Sequence, residues 1–261
     1  DPPDADPTRK SPFSEAFREF GVKPTFWWLA MGAALVAFVG YGLISFQAPF
    51  LQRVHGIDVR EAAIMYGAPL AAFAAFGTFI GGFMSEKLSG RFPAVVAWLP
   101  AVGLLLAVPA YILAFFSSSL TTVFVLWAIA AVGHYAYLGA QYSVGTGIVS
   151  PRSRATTIAV LLLIISLIGN GIGPLFVGAM SDFFMAREIG LSDYADLAAS
   201  FDPKLCGAQL LELGEAGPAL CKAYGDGLRQ SMAATVLVFV AAAACYYMAS
   251  RTYLRDRYNP D

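Results

Sequence analysis

Residues 81–90, GGFMSEKLSG, end one long apolar segment of the chain, and a near copy, VGAMSDFFM at residues 177–185, ends another. In each copy, glycines are followed by a serine and then an acidic residue. The two segments align with an offset of 96 residues, which pairs Gly77 with Gly173, Gly82 with Gly178, Ser85 with Ser181 and Glu86 with Asp182. The repetition predicts two structurally equivalent helices.

The composition is far more apolar than that of a soluble domain. Hydrophobic residues make up 57% and charged residues 13% of the 261 residues, and the mean hydropathy is +0.62, whereas soluble domains carry about 25% charged residues. A bilayer core needs about 20 apolar helical residues, and the period-two alternation of a membrane barrel is absent. Six membrane helices are therefore predicted, at about 26–50, 59–85, 93–116, 120–149, 155–182 and 229–250.

Basic residues give the orientation of these helices, because short cytoplasmic loops hold more Lys and Arg than exported ones. Of the 17 basic residues, 11 fall before the first helix, after the second, after the fourth or in the tail. We therefore expect 1–25 to be a cytoplasmic linker with a short amphipathic helix, 251–261 a cytoplasmic tail, and 183–228 an extracytoplasmic loop. The second helix then runs inward and the fifth outward, which predicts an all-α bundle of two inverted three-helix repeats.

Two stretches resemble a known family. GGFMSEKLSGR at residues 81–91 resembles the loop signature of the major facilitator superfamily, roughly Gly-x-x-x-Asp-Arg-x-Gly-Arg-Arg, with Glu86 and Lys87 in place of Asp and Arg and the second glycine displaced to Gly90. PRSRATTIAVLLLIISLIGNGIGPLFVGAMSD at residues 151–182 is similar to the eleventh helix of spinster-type transporters, a lipid-handling branch of that superfamily. The resemblance implies that the six helices are the C-terminal half, helices seven to twelve, of a twelve-helix transporter.

The resemblance also implies a function. It implies a secondary active transporter that moves a small amphiphilic substrate, a lysophospholipid or a sphingoid lipid, by alternating access with proton coupling, as symport or antiport. The alternatives are transport of an organic anion, a sugar acid or a drug, and a six-helix channel or scaffold. The implied partners are the N-terminal six-helix half of the same transporter and membrane lipid, in a bacterial inner membrane. No cofactor is expected, and the lack of a basic patch with interleaved aromatics argues against nucleic acid.

Polar side chains at mid-membrane are the candidate transport residues, because such groups are costly in lipid unless they are paired or hydrated. His134, Tyr137 and Gln141 have the spacing i, i+3 and i+7 and share one face of the fourth helix. The resemblance adds cavity candidates on the first, second and fifth helices: Tyr41, Ser45, Gln47, Tyr66 and Asn170. A histidine can change its charge near neutral pH, which makes His134 the candidate for proton coupling. The alternatives are a histidine hydrogen-bonded between helices and tyrosines that only pack or anchor at the interface.

Charged residues at the ends of the second and fifth helices are the candidate cytoplasmic gate. Glu86 is placed where a carboxylate can cap the start of the fifth helix and pair with Arg154, a contact that must break when the cytoplasmic side opens. Gly82, Lys87 and Arg91 complete the predicted gate. The alternative is that Glu86 is a solvated loop charge.

The cysteines and histidines limit the disulfides, metal sites and catalytic motifs that the chain can form. Cys206 and Cys221 lie 15 residues apart in the exported segment, which predicts a disulfide; the alternative is two unpaired thiols in a flexible loop. The chain has only two histidines, His55 and His134, with no His-x-x-x-His motif, no Cys-rich ligand set and no Gly-x-Ser-x-Gly elbow. Neither a metal site nor an enzyme is therefore expected.

Overall fold

The computed structural model describes residues 13–90, 92, 94–192, 194–197, 206 and 216–259. This described part contains no strand. Six of its helices, α2 to α7, are long and apolar enough to cross a membrane, so the predicted all-α membrane fold is confirmed. The helices are α1 (Phe13–Gly21), α2 (Pro24–His55), α3 (Ala62–Ser89), α4 (Val95–Phe116), α5 (Leu120–Gly147), α6 (Arg154–Gly190) and α7 (Gly217–Asp256).

Two helices continue well beyond the apolar segments that predict them. α6 runs to Gly190, not 182, and α7 begins at Gly217, not 229. The extensions pack on each other: Ile189 and Leu220 are buried in a small apolar cluster, and the Gln230 amide donates a hydrogen bond of 2.8 Å to the Glu188 carboxylate. Charged residues therefore mark the end of the predicted apolar span, but each helix continues beyond that point because tertiary contacts stabilise its additional turns. The expected loop 183–228 is helical at both of its ends.

Three of the spans contain an irregular turn. α3 begins with a π-helical turn at Ala62–Gly67, α5 is divided at Ala136, and α7 is divided at Leu237. The break in α5 lies where a Cβ atom on Gly81 of α3 would overlap the backbone of Ala136. Asp58 caps the short turn before α3, because its carboxylate accepts a hydrogen bond of 2.9 Å from the Arg60 amide.

The helix contacts have the symmetry of an inverted repeat. α2 packs on α6 just as α5 packs on α3, and α2 packs on α7 just as α5 packs on α4. α4 and α7, the third helix of each group, pack on each other. If α2 is exchanged with α5, α3 with α6 and α4 with α7, the same set of contacts results. This symmetry agrees with two inverted three-helix repeats.

The repeated glycines lie at equivalent crossings of this bundle. A Cβ atom on Gly77 of α3 would lie 2.5 Å from the carbonyl oxygen of Val132 in α5. A Cβ atom on Gly173 of α6 would lie 3.2 Å from the carbonyl carbon of Phe38 in α2, and closer still to its oxygen. Only glycine permits the two backbones to approach this closely. Gly77 and Gly173, which the 96-residue offset aligns, therefore mark two equivalent helix contacts.

Helix α1 packs against the connection between α5 and α6. The Glu19 carboxylate accepts hydrogen bonds from the backbone amide and the hydroxyl of Ser150, and the Lys23 ammonium donates to the Ile148 carbonyl. Phe20 is fully buried, with its ring centroid 4.3 Å from that of Phe26. α1 thus belongs structurally to the bundle that follows it.

Candidate functional site

Two cavities meet inside the bundle on either side of one histidine. The first, of about 300 Å³, is bounded by α2, α3, α4 and α5; the second, of about 280 Å³, is bounded by α2, α5 and α6. Both are lined by Gly40, Ile44, His134 and Tyr135. The other lining residues of the first cavity are mainly small or aliphatic, whereas those of the second divide evenly between aliphatic residues and Tyr, Gln or Ser.

His134 is held between the helices and also lines both cavities. Only 3% of its surface is exposed, and its Nδ1 atom lies 3.2 Å from the hydroxyl of Tyr111 on α4. Its ring centroid lies 4.7 Å from that of Phe239 on α7. A Cβ atom on Gly40 would come within 3.3 Å of the imidazole, so the glycine leaves space for the ring. His134 therefore combines the two predicted alternatives, because it contacts another helix through a hydrogen bond and also lines the cavities.

Tyr137 and Gln141 continue the polar face of α5. Gln141 is 1% exposed and lines the second cavity, and its Oε1 atom has no hydrogen-bond partner in the described part of the chain. Tyr137 lines the same cavity, with its ring centroid 6.2 Å from that of His134. A buried acceptor without a partner is costly. The Gln141 carbonyl is thus available to a ligand or to water in this cavity.

The other predicted cavity residues divide into two groups. Tyr41 lines the second cavity and Gln47 the first, where its Nε2 atom is buried without a partner within the described residues. Ser45 and Asn170 are exposed and line neither cavity. Tyr66 packs edge-on against Phe124, with 6.0 Å between ring centroids, and is also outside both linings.

The structure therefore brings together five of the eight predicted cavity residues: Tyr41, Gln47, His134, Tyr137 and Gln141. It adds Tyr111 and Ser166, which sequence reasoning missed. Tyr111 lies in an almost entirely apolar stretch of α4, and only its hydrogen bond to His134 reveals its place in the site.

The predicted gate residues lie beside an open cleft at the end of α3. Gly82 and Glu86 line this cleft of about 700 Å³ together with Tyr253 and Arg257 of the C-terminal end. Glu86 forms no ion pair with Arg154 among the described residues. Instead, Glu19 of α1 supplies the carboxylate that accepts hydrogen bonds just before α6.

The other gate residues take no part in an ion pair within the described ranges. The Lys87 ammonium lies 5.7 Å from the ring centroid of Phe83, and Arg154 is exposed at the start of α6. Arg91 lies outside the described residues. The pairing of Glu86 with Arg154 therefore remains a prediction for a conformation other than this one.

The predicted disulfide is present. Cys206 and Cys221 are joined with an S–S distance of 2.01 Å and a Cα–Cα distance of 5.5 Å. The bridge ties the connection between α6 and α7 to the first turns of α7, near the point where the Arg53 guanidinium lies 3.9 Å from the ring centroid of Tyr224. The described ranges contain no group of three or more His, Cys, Asp or Glu residues able to hold a metal ion.

Comparison with known proteins finds similar sequences among transporters. The profile of the Organic Anion Transporter Polypeptide (OATP) family matches residues 4–126. An MFS-type efflux pump of Mycolicibacterium smegmatis is 29% identical over 234 residues, 90% of this chain and 46% of the pump. Protein spinster homolog 3 of Danio rerio is 26% identical over 173 residues, 60% of this chain and 34% of that protein.

Two solved structures are closely similar to the whole bundle. They are of a bacterial homologue of the human lysosomal transporter Spinster. In the inward-facing and unoccupied conformation that chain is 66% identical, with a TM-score of 0.92 over 100% of this chain and 55% of its own length. In the inward-facing and occupied conformation it is 65% identical, with a TM-score of 0.89 over 97% of this chain and 55% of its own. The chain thus spans about half the length of these relatives.

Proposed function

We propose that this chain, which belongs to the spinster-like branch of the major facilitator superfamily, is the C-terminal half of a secondary active transporter that works by alternating access. The observation that carries the proposal is the pair of cavities that meet at His134. The relatives named above are transport proteins and not enzymes.

The substrate we propose is a small amphiphile, a lysophospholipid or a sphingoid lipid. Aliphatic side chains of α2 and α6 in the lining of the second cavity suit an acyl chain, whereas His134, Gln141 and Tyr41 supply polar atoms to the same cavity. Because the Oε1 atom of Gln141 lacks a partner in the described structure, it can accept a hydrogen bond from a hydroxyl or ammonium of the headgroup.

The partner we propose is the N-terminal six-helix half of the same transporter. α3 presents large apolar side chains to the outside of this bundle, among them Phe76 at 54% and Phe79 at 68% exposure. α6 does the same with Leu163 and Leu167. A second half packed beside α3 and α6 would enclose the two cavities, which this chain leaves open on one side. We propose a bacterial inner membrane as its location, with both termini cytoplasmic; the distribution of basic residues supports this orientation.

Proton coupling is proposed to depend on His134. It is the one side chain in the two cavity linings whose ordinary pKa lies near neutral pH. Its contact with the Tyr111 hydroxyl ties it to α4, so gain of a proton at Nδ1 would require the hydroxyl to act as acceptor. Protonation therefore changes a contact between helices as well as the charge of the cavity wall.

The test is uptake of radiolabelled lysophospholipid or sphingoid phosphate into proteoliposomes that contain the full-length protein, with and without a pH gradient. We expect His134→Gln to lower uptake about tenfold or more and to remove its dependence on the gradient, in line with the loss of a general acid–base group. His55→Gln is the matched control, because His55 lies at the end of α2 and lines neither cavity. Normal uptake and normal pH dependence in His134→Gln would remove His134 from the mechanism.

The runner-up function is transport of an organic anion, which the match to the OATP profile favours. The two functions differ in what competes for the site. Inhibition of lipid uptake by a soluble organic anion without an acyl chain, together with accumulation of that anion, would favour the second function. Competition by amphiphiles alone would favour the first.

The proposed cytoplasmic gate is tested separately by charge exchange. If Glu86 and Arg154 pair when the cytoplasmic side closes, Glu86→Arg should impair uptake, and the added change Arg154→Glu should restore it. Absence of rescue, with both proteins correctly inserted, would remove the pair from the gate.

A further inference from the structure

A second apolar site lies on the outer side of the bundle, between α4 and α7. It is a groove of about 570 Å³, and Trp98 and Tyr247 are its only lining residues with a polar side-chain atom. Alanines form its floor, and larger side chains form its walls. The lining consists of Trp98, Ala101, Val102 and Leu105 from α4 and Val240, Ala243, Ala244 and Tyr247 from α7.

The groove is separate from the candidate transport cavities. Tyr111, the α4 residue that lines the first cavity, is 4% exposed, whereas Val102 and Leu105 in the groove are 41% and 49% exposed. No residue lines both the groove and either cavity. This inference rests on the proposed function: if the other half of the transporter packs against α3 and α6, α4 and α7 face lipid.

One end of the groove has the character of a membrane–water boundary. Trp98 lies in the first turn of α4, and Tyr247 lies on α7 about two turns before its end. Both rings are partly exposed, and Trp and Tyr favour this depth in a bilayer. From Tyr247 to Val240 the groove follows α7 for about 10 Å toward the bilayer centre, at about 1.5 Å per residue. It is therefore open to an acyl chain that enters from the interface.

A cation lies at this same end of the groove. The Arg251 guanidinium carbon lies 5.4 Å from the ring centroid of Tyr247, and the side chain is exposed. The next arginine on this face, Arg255, pairs with Asp256 at 3.0 Å, whereas Arg251 forms no ion pair within the described ranges. An arginine can bind a phosphate with two parallel hydrogen bonds.

We propose that this groove binds an anionic phospholipid of the surrounding leaflet, with an acyl chain between α4 and α7 and the phosphate on Arg251. The neighbouring positive charge complements a negatively charged headgroup, and the alanine floor admits the chain. The bound lipid fills the space between the third helices of the two repeats. The bound lipid stays on the lipid-facing surface of the bundle and is distinct from the transported substrate.

The test is native mass spectrometry of the full-length protein in detergent, with phosphatidylglycerol or phosphatidylcholine of identical acyl chains as the added lipid. Wild type should retain phosphatidylglycerol about tenfold better than phosphatidylcholine, and Arg251→Gln should reduce this preference to near unity. Ala244→Phe, at an exposed position of the groove, should lower retention of both lipids. Equal binding of the two lipids by wild type would overturn the proposal, as would unchanged retention in either variant.

Lys87→Gln is the control for Arg251→Gln. Lys87 is also an exposed cation beside an aromatic ring, at the end of a membrane helix on the same side of the bundle, but it lines no groove of this kind. The lipid preference should persist in this variant. Its loss would show that total surface charge, and not the site at Arg251, determines binding, and would also overturn the proposal.

Discussion

The replacement Gly77→Ala tests whether the repeated glycines act through backbone contact. The added methyl group would lie 2.5 Å from the carbonyl oxygen of Val132 and 2.8 Å from its Cα atom. Ordinary van der Waals contact begins at 3.4 Å, so α3 and α5 must move apart by about 0.9 Å to relieve the overlap. The obstacle is backbone, which cannot rotate away as a side chain can.

A separation of this size weakens the van der Waals contacts along the whole helix crossing. Gaps of about 0.5–1 Å forfeit roughly a quarter to a half of the dispersion energy of the contacts that line them. Overpacked cores lose about 1–3 kcal/mol, and a rigid obstacle places this site at the upper end of that range. We therefore expect Gly77→Ala to lower the free energy of unfolding by about 3 kcal/mol.

The inverted copy makes the same prediction at a second crossing. Gly173→Ala meets the backbone of Phe38 in α2, so it should be destabilising by a similar amount. The two sites lie on different helix pairs, and the double variant should lose about the sum of the two effects. Unfolding of the full-length protein in mixed micelles of increasing SDS content, followed by tryptophan fluorescence, measures all three values.

Gly171→Ala is the matched control for these variants. It lies in the same helix as Gly173, but no described atom lies within 4 Å of its would-be Cβ atom. Since alanine favours a helix over glycine by about 1 kcal/mol, this variant should be as stable as wild type or slightly more stable. The reasoning fails if Gly77→Ala and Gly173→Ala retain wild-type stability, or if Gly171→Ala loses as much as they do.

Three further predictions concern the ends of the bundle. Asp256→Asn should cost about 1–3 kcal/mol, because the Asp256 carboxylate accepts hydrogen bonds from the amide and hydroxyl of Thr25 at the start of α2; SDS unfolding measures it. Glu19→Gln should speed hydrogen exchange in α1, because it weakens the charged contact to Ser150. Cys221→Ser should cost about 3 kcal/mol through loss of the disulfide, and reductant should have no further effect on this variant.

Two of these predictions have a matched control variant. Glu15→Gln removes the same charge from α1 at an exposed position, and its exchange rates should match those of wild type. Cys245→Ser removes the buried free cysteine and should leave the effect of reductant on wild type unchanged. Full labelling of Cys206 in the unreduced protein would contradict the bridge, and unchanged stability in Asp256→Asn would show that Asp256 does not stabilise the start of α2.

Hydropathy predicts the number and order of the membrane helices because each span is a local property of the chain. It does not predict that α6 reaches Gly190 or that α7 begins at Gly217, since those ends depend on packing between the two extensions. Ile189 and Leu220 stabilise helical turns that, by composition alone, are typical of an exported loop. Helix ends outside the membrane are thus decided by tertiary contacts.

The site shows the same division between local and tertiary information. Helical spacing places His134, Tyr137 and Gln141 on one face, and all three line the second cavity. The contact of His134 with Tyr111 joins positions 23 residues apart on different helices, and no periodicity within one helix encodes it. The region before α6 is similar, because charge alone predicts Glu86 as the carboxylate there, whereas the structure places Glu19 against Ser150 in the connection that precedes α6.

The contacts of α1 bear on how the proposed transporter moves. Alternating access by rocking requires each half to move as a rigid body. Glu19 binds the connection between α5 and α6 at Ser150, and the Tyr258 amide, just beyond α7, donates a hydrogen bond of 3.0 Å to the carbonyl of Gly147 at the end of α5. α1 and the end of α7 are thus fixed to one segment. Although the sequence predicts α1 as part of a linker, its hydrogen bonds make it a component of the moving half.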